Sequence, residues 1–133
     1  LLPGTGPFID FQLALGIAAL LGHIFPVYVG FRGGKGIATL LGIILAVHTG
    51  AALASMAVFI VVLLITRYVS LSSMVAATAF PVVVILVFET TISSLVIFSL
   101  VIAILVLITH QKNIERLLRK EESKANLFGK SEP

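Results

Sequence analysis

The chain has 133 residues, of which 59% are hydrophobic and 11% are charged, and its mean hydropathy is +1.16. An ordinary soluble domain carries about 25% charged residues, so this composition excludes a soluble globular protein and indicates an integral membrane protein. The absence of cysteine excludes disulfides and thiolate chemistry. The net charge of +3 does not indicate a nucleic-acid partner, because the placement of the basic residues matters more than their sum. We expect one all-α membrane domain over residues 1–133, in contact with the lipid bilayer.

Residues 1–7 are rich in turn formers and lack a basic segment before an apolar core. They are therefore unlike a signal peptide. The chain begins with leucine rather than methionine, and we expect that an N-terminal part of the protein precedes it and completes any site formed here.

Uncharged stretches follow one another along the chain. A helix rises about 1.5 Å per residue and must cross a hydrocarbon core of about 30 Å. The uncharged segment 36–66 is long for one crossing and is interrupted at residues 48–50, so it predicts two helices. The first of them is about 18 Å long, which means that the loop before it must dip below the membrane surface if this helix crosses. The predicted spans, about five in number, are 11–31, 36–47, 51–66, 69–88 and 91–109.

The charges support this division. Five crossings place all nine Lys and Arg residues on one face, including Arg32, Lys35 and Arg67, and place Asp10 and Glu89 on the other face. The positive-inside rule makes the basic face cytoplasmic. A four-span arrangement moves Arg67 across the membrane from Arg32, so we prefer five spans.

The C-terminal segment changes character at His110. A narrow apolar stripe of Ile114, Leu117 and Leu118 is surrounded by charged residues. This pattern predicts a cytoplasmic interfacial helix over 110–124, followed by a tail over 125–133. The alternative is a charged tail that only stops translocation.

A glycine-rich segment joins the first two predicted spans. Glycines allow backbone amides to approach an anion closely, and the start of the next helix attracts negative charge. Lys35 adds a full charge, and Thr39 lies on the same helix face four residues later. The candidate phosphate-binding residues are Arg32, Gly33, Gly34, Lys35, Gly36 and Thr39. A nucleotide-binding P-loop is excluded, since it requires glycine six residues before the lysine and Ser or Thr directly after it, where this chain has Val29 and Gly36.

Three further polar positions fall on the predicted cytoplasmic face. His23 lies near the end of the first span, where the alternative is a histidine satisfied by a neighbouring helix. Ser70 follows Arg67, a pair that also suits a basic anchor with a serine N-cap. His110 and Asn113 share one helix face. We take His23, Ser70, His110 and Asn113 as candidate catalytic residues; the histidines are too scattered for a metal site, and no metal or cofactor is predicted.

Residues 22–39, 67–71 and 110–118 together resemble three motifs of the bacterial acyl-phosphate:glycerol-3-phosphate acyltransferases. These are the segments Gly-His-Ile-Phe-Pro through Gly-Gly-Lys-Gly-Ile-Ala-Thr, Arg-Tyr-Val-Ser-Leu, and His-Gln-Lys-Asn-Ile-Glu-Arg-Leu-Leu. The resemblance extends over about residues 11–124. It implies a seven-span fold, of which this chain supplies the last five spans.

The resemblance further implies that the 1-hydroxyl of glycerol 3-phosphate attacks an acyl phosphate, giving lysophosphatidic acid and phosphate in phospholipid biosynthesis. Lys35 and residues 33–36 then hold phosphate, while Ser70, His110 and Asn113 orient the reacting groups. The general base is His110, His23 or a phosphate oxygen of the substrate. Two departures are noted: the family's N-terminal Ser-Gly-Asn-x-Gly-x-x-Asn loop is absent, and Lys120 stands where the family usually has glycine. The alternatives are an anion transporter, since such proteins use short broken helices, and an inactive remnant of the enzyme.

Overall fold

The computed structural model describes residues 2–25 and 36–129. Six α-helices follow one another: α1 Gly6–Ile24, α2 Ile37–Val47, α3 Thr49–Thr66, α4 Val69–Val82, α5 Ser93–Thr109 and α6 Gln111–Leu118. A π-helical turn, Val83–Val87, prolongs α4. The described part of the chain is therefore all-helical, as the composition predicted.

Three helical segments are long and apolar enough to cross a membrane, namely Gly6–Ile24, Thr49–Thr66 and Val69–Val87. A fourth arises if α5 and α6, which meet at 59°, count as one bent span. Helix α2 has only 11 residues, about 16 Å. Within the described residues the chain is thus a membrane protein with three or four candidate spans, and α2 is the helix on which a count of five depends.

Some boundaries differ from the prediction. Helix α1 begins at Gly6 and ends at Ile24 rather than at 11 and 31, because Pro7 at the start of a helix is well tolerated and extends it N-terminally. The loop predicted to dip into the membrane, between residues 31 and 36, lies outside the described residues.

The break between α2 and α3 occurs at His48. Its Nδ1 accepts a hydrogen bond from the Ala51 amide at 3.1 Å, so the imidazole caps α3. The same ring stands edge-on to Phe88, with centroids 4.5 Å apart. An added Cβ at Gly50 would lie 2.7 Å from Phe88 Cζ, so a larger residue there would displace the Phe88 ring. This corner closes the end of the bundle opposite to the α3–α4 turn.

The predicted helix over 110–124 is wrong in extent. Helix α6 ends at Leu118, and Lys120 has φ 59, a left-handed conformation that ends helices and that glycine adopts most readily. A glycine at this position would satisfy the same conformation without strain. Residues 121–127 run without helix and return toward the α3–α4 turn.

The core lies where α4 packs between α3 and α5. Phe80, Val84 and Leu95 are each no more than 1% exposed. Large apolar side chains on the outer faces remain uncovered, among them Leu15 on α1, Ile65 on α3 and Ile104 on α5. Such faces suit contact with lipid, because a bilayer requires no polar outer surface.

Candidate functional site

The ends of the helices place the predicted polar residues together. Because successive helices reverse direction, the end of α1, the start of α2, the α3–α4 turn and the end of α5 share one end of the bundle. Ile37, Ser73 and Val106 line one cavity. The start of α2 therefore faces Ser73, which lies one turn after Ser70, and Val106, which lies one turn before His110. The described candidates His23, Gly36, Thr39, Ser70, His110 and Asn113 therefore lie at this end.

Gly36 is the one residue of the segment 32–36 that the structure describes. It caps α2 with φ 73, the left-handed region that favours glycine. An added Cβ would lie 2.8 Å from Leu20 Cδ1 and 3.8 Å from His23 Cδ2. The start of α2 thus rests against the last turns of α1. The other phosphate-binding candidates, Arg32, Gly33, Gly34 and Lys35, lie outside the described residues.

Two candidates occupy more open positions. His23 is exposed in the last turn of α1. Thr39 is half-buried in the first turn of α2, where backbone N–H groups lack intrahelical partners. Both stand near Gly36, at the edge of the bundle rather than within it.

The other three candidates are buried. Ser70, His110 and Asn113 are 7%, 3% and 7% exposed, respectively. Ser70 lies in the first turn of α4, His110 at the bend between α5 and α6, and Asn113 on α6. Polar side chains this well covered at a helix end are costly unless they serve a bound group or a network.

The orientation of His110 is set by a backbone carbonyl. Its Nδ1 lies 2.8 Å from the Val106 oxygen. A carbonyl can only accept, so Nδ1 carries the proton. In the neutral ring Nε2 is then the basic nitrogen, which is the arrangement that a proton acceptor requires.

Glu122 joins the buried candidates, and sequence reasoning missed it. Its carboxylate accepts hydrogen bonds from Asn113 Nδ2 at 3.0 Å and from Arg116 Nε at 2.8 Å, and its side chain is 10% exposed. The Ser70 hydroxyl has no hydrogen bond of standard geometry within residues 2–25 and 36–129, although it lies near enough to stabilise the Glu122 anion. Glu122 stands beyond the end of α6, whereas the periodicity assigned it to the charged surface of a longer helix.

These contacts set the pKa of Glu122. Burial by itself would raise the pKa of its carboxyl, but the hydrogen bonds from Arg116 and Asn113, the charge of Arg116 and the nearby Ser70 together hold the pKa below its usual range. A carboxyl whose pKa is lowered by folding stabilises the folded state above its unfolded pKa, and this contribution disappears as the pH falls through the folded pKa.

We expect the thermal stability conferred by Glu122 to depend on pH. In detergent, the wild-type protein should melt at a higher temperature than Glu122→Gln at pH 7. The difference should shrink as the pH falls below about 4.3, the unfolded pKa of glutamate. The measurement is the wild-type-minus-variant melting temperature across this range. Glu121→Gln, a change at the exposed neighbouring carboxylate, is the control and should show little difference at any pH. A difference for Glu122→Gln that stays constant would contradict the assignment.

An apolar cavity of about 310 Å³ lies between α2, α3, α4 and α5. Ile37, Ser73 and Val106 line it near the polar end, and Ile44, Ser55 and Phe80 line it deeper in the bundle. The seven-residue step from Ile37 to Ile44 corresponds to a depth of about 10 Å. The lining of this apolar cavity thus begins one helical turn from Ser70 and His110.

Fold and site together define an integral membrane protein of the all-α class, with a buried polar corner at one end and an apolar cavity beneath it. The sequence pattern of the family described as Glycerol-3-phosphate acyltransferase matches residues 4–120. This chain belongs to that family.

Relatives and solved structures agree with the assignment. The chain is 40% identical over 129 residues to the glycerol-3-phosphate acyltransferase of Salinibacter ruber, covering 94% of this chain and 56% of the relative. It is 47% identical over 113 residues to the one of Synechococcus sp. (strain CC9605), covering 85% and 55%. A crystal structure of PlsY, an integral membrane glycerol 3-phosphate acyltransferase in its glycerol 3-phosphate form, superposes with a TM-score of 0.75 at 38% identity. The superposition covers 84% of this chain and 55% of the PlsY chain.

A second PlsY structure, the lysophosphatidic acid form, gives a TM-score of 0.74 at 38% identity, with 81% and 54% covered. The chain thus spans little more than half the length of these relatives, such as the 56% covered in the Salinibacter protein. The fold of the shared part is that of a known membrane enzyme family.

Proposed function

We propose that the complete protein transfers a fatty acyl group from an acyl phosphate to the 1-hydroxyl of glycerol 3-phosphate. The products are lysophosphatidic acid and inorganic phosphate. The observation that carries this proposal is the short separation between the buried polar residues Ser70, His110 and Asn113 and the apolar cavity, whose lining residues Ser73 and Val106 lie one helical turn from Ser70 and His110. A polar centre one turn from an apolar space suits a substrate with a charged head and an acyl chain. The relatives' names and the two PlsY forms support glycerol 3-phosphate as the acyl acceptor and lysophosphatidic acid as the product.

The reaction follows from the chemistry of the groups. The glycerol hydroxyl oxygen attacks the acyl carbonyl carbon, the bond from that carbon to the phosphate oxygen breaks, and phosphate leaves with the electron pair. Since phosphate is a good leaving group, positioning and charge stabilisation can supply much of the rate. Lys35 and residues 33–36 hold phosphate. His110 Nε2 accepts the hydroxyl proton, while His23 and a phosphate oxygen are the competing bases.

We further propose about five crossings, with α2 as a short one, and a reaction centre that faces the cytoplasm from a bacterial inner membrane. The positive-inside rule supports this orientation, because Arg67 and the basic residues beyond His110 lie at one end of the bundle. Helix α6 then lies along the cytoplasmic interface, which agrees with its 59° bend from α5.

The test uses the complete protein, extended to the length of its relatives, in detergent. Phosphate release from palmitoyl phosphate should require glycerol 3-phosphate and should be matched by lysophosphatidic acid formation. In liposomes, uptake of labelled glycerol 3-phosphate without ester formation would instead favour a transporter. If the protein shows no uptake and forms no ester, it is an inactive remnant.

The cavity predicts a dependence on acyl-chain length. Ala77 on α4 lines the cavity, so Ala77→Leu should fill part of it. We expect kcat/KM for palmitoyl phosphate to fall about tenfold relative to that for octanoyl phosphate, since a single methylene in a fitted apolar pocket is worth about 10-fold or more. Rates across a chain-length series measure this ratio.

Ala57→Leu is the matched control, because Ala57 is exposed on the outer face of α3. It should leave the ratio unchanged. If both variants lower kcat/KM by the same factor for every acyl phosphate, the cavity does not hold the acyl chain.

A further inference from the structure

The segment 121–125, called the strap below, leaves α6 and returns to the α3–α4 turn. The Ala125 amide donates to the Arg67 carbonyl at 2.7 Å. In return, Arg67 Nε and Nη2 both donate to the Ala125 carbonyl, at 3.1 and 3.0 Å. Arg67 thus forms hydrogen bonds with both the backbone N–H and the backbone C=O of Ala125.

A second contact lies beside the first. Lys124 Nζ stands 5.6 Å from the centre of the Tyr68 ring, within the range of a cation–π interaction. Three residues before Ala125, Glu122 holds Asn113 and Arg116. The strap therefore bridges the α3–α4 turn at one end and α6 at the other.

The backbone of Arg67 marks it as unusual. It ends α3 with φ 61, a left-handed conformation that costs a non-glycine residue energy. Glycine would satisfy this turn without that cost. An arginine in such a place is expected to contribute through its side chain, and the side chain contacts the strap.

We propose that Arg67 is a positioning residue. Its hydrogen bonds to Ala125 fix the strap, and the strap holds Glu122 against the Asn113 amide in the orientation that the reaction needs. This inference rests on the proposed acyltransferase function. Arg67 touches no reacting atom; it acts through the strap and Glu122. The competing interpretation is that Arg67 serves only as a basic anchor for membrane orientation, and then any cation would suffice.

Arg67→Lys separates the two interpretations in the complete protein. Lysine keeps the positive charge but lacks the planar fork that donates twice to one carbonyl. We expect kcat for lysophosphatidic acid formation to fall about tenfold, the effect of losing one charge-assisted hydrogen bond. KM for glycerol 3-phosphate should stay within about twofold. Hydrogen exchange at the Ala125 amide should become faster.

Two further variants sharpen the test. Arg67→Gly suits the left-handed backbone and should lower kcat as much as Arg67→Lys without unfolding the protein. Arg119→Lys, at an exposed arginine beyond α6, should leave both kcat and exchange unchanged. In a cysteine-free background, Tyr68→Cys and Lys124→Cys can be added to Arg67→Lys and joined by a short bismaleimide. The cross-link should restore kcat, because it replaces the lost contact between Arg67 and Ala125.

A normal kcat in Arg67→Lys would overturn the proposal, as would a lower kcat with unchanged exchange at Ala125 or no rescue by the cross-link. Failure of the proposed function looks different. The wild-type protein would then form no lysophosphatidic acid, while faster exchange in Arg67→Lys would still show that Arg67 holds the strap.

Discussion

His110→Asn in the complete protein is expected to lower kcat for lysophosphatidic acid formation by about 10²- to 10⁴-fold, the range that a general base contributes. The asparagine amide nitrogen can replace Nδ1 as donor to the Val106 carbonyl, the 2.8 Å contact that orients the imidazole. The substitution thus keeps the structural hydrogen bond and removes the basic Nε2. KM for glycerol 3-phosphate should change little, because the lost interaction belongs to the transition state. Steady-state rates with both substrates varied measure the two constants separately.

Lys112→Ala is the control for this variant. Lys112 is exposed on α6, one residue before Asn113, and its loss should leave kcat within about twofold of wild type. A His110→Asn protein that retains near-normal kcat would remove His110 as the base. His23→Asn and substrate analogues altered at the phosphate oxygens would then distinguish the two remaining bases.

Replacement of Lys35 by alanine is expected to lower kcat/KM by about 10²- to 10³-fold, the cost of losing one charged group that faces developing negative charge in a protected site. Both substrates carry phosphate, so the cation acts on binding and on the leaving group alike. The next residue, Gly36, caps α2 with φ 73 beside His23. Rates of ester formation at varied glycerol 3-phosphate concentration provide the measurement.

Lys35→Arg keeps the charge and should retain far more activity than Lys35→Ala. The matched control outside the site is again Lys112→Ala, at an exposed cation on α6. If Lys35→Ala works at a near-normal rate, phosphate is held elsewhere and the glycine-rich segment only connects two helices.

Much of this protein was predictable from local chemistry. Composition alone indicated membrane helices, because apolar stretches of this length have no other stable environment. The break between α2 and α3 at His48 follows from residue types and short spacings. The motifs at 22–39, 67–71 and 110–118 were sufficient for the family, which the match over residues 4–120 confirms.

Other features depend on contacts between distant residues, and no local pattern reports them. Helix α6 stops at Leu118 rather than continuing to 124, and Lys120 takes a left-handed conformation. The charged sequence there would be compatible with further helix. The strap instead forms hydrogen bonds to Arg67 across 58 residues of chain.

The same physical reason explains the site. Residue types and spacings singled out His23, Ser70, His110, Asn113 and the glycine-rich segment, since each stands out among apolar neighbours. Only the packing of α4 against α5 and α6 shows which of these are buried together, and only the returning strap brings Glu122 to Asn113. The sequence by itself therefore determined the class of protein and the candidate polar groups. The tertiary structure decided their partners, because burial and hydrogen bonding between distant segments are properties of the folded chain.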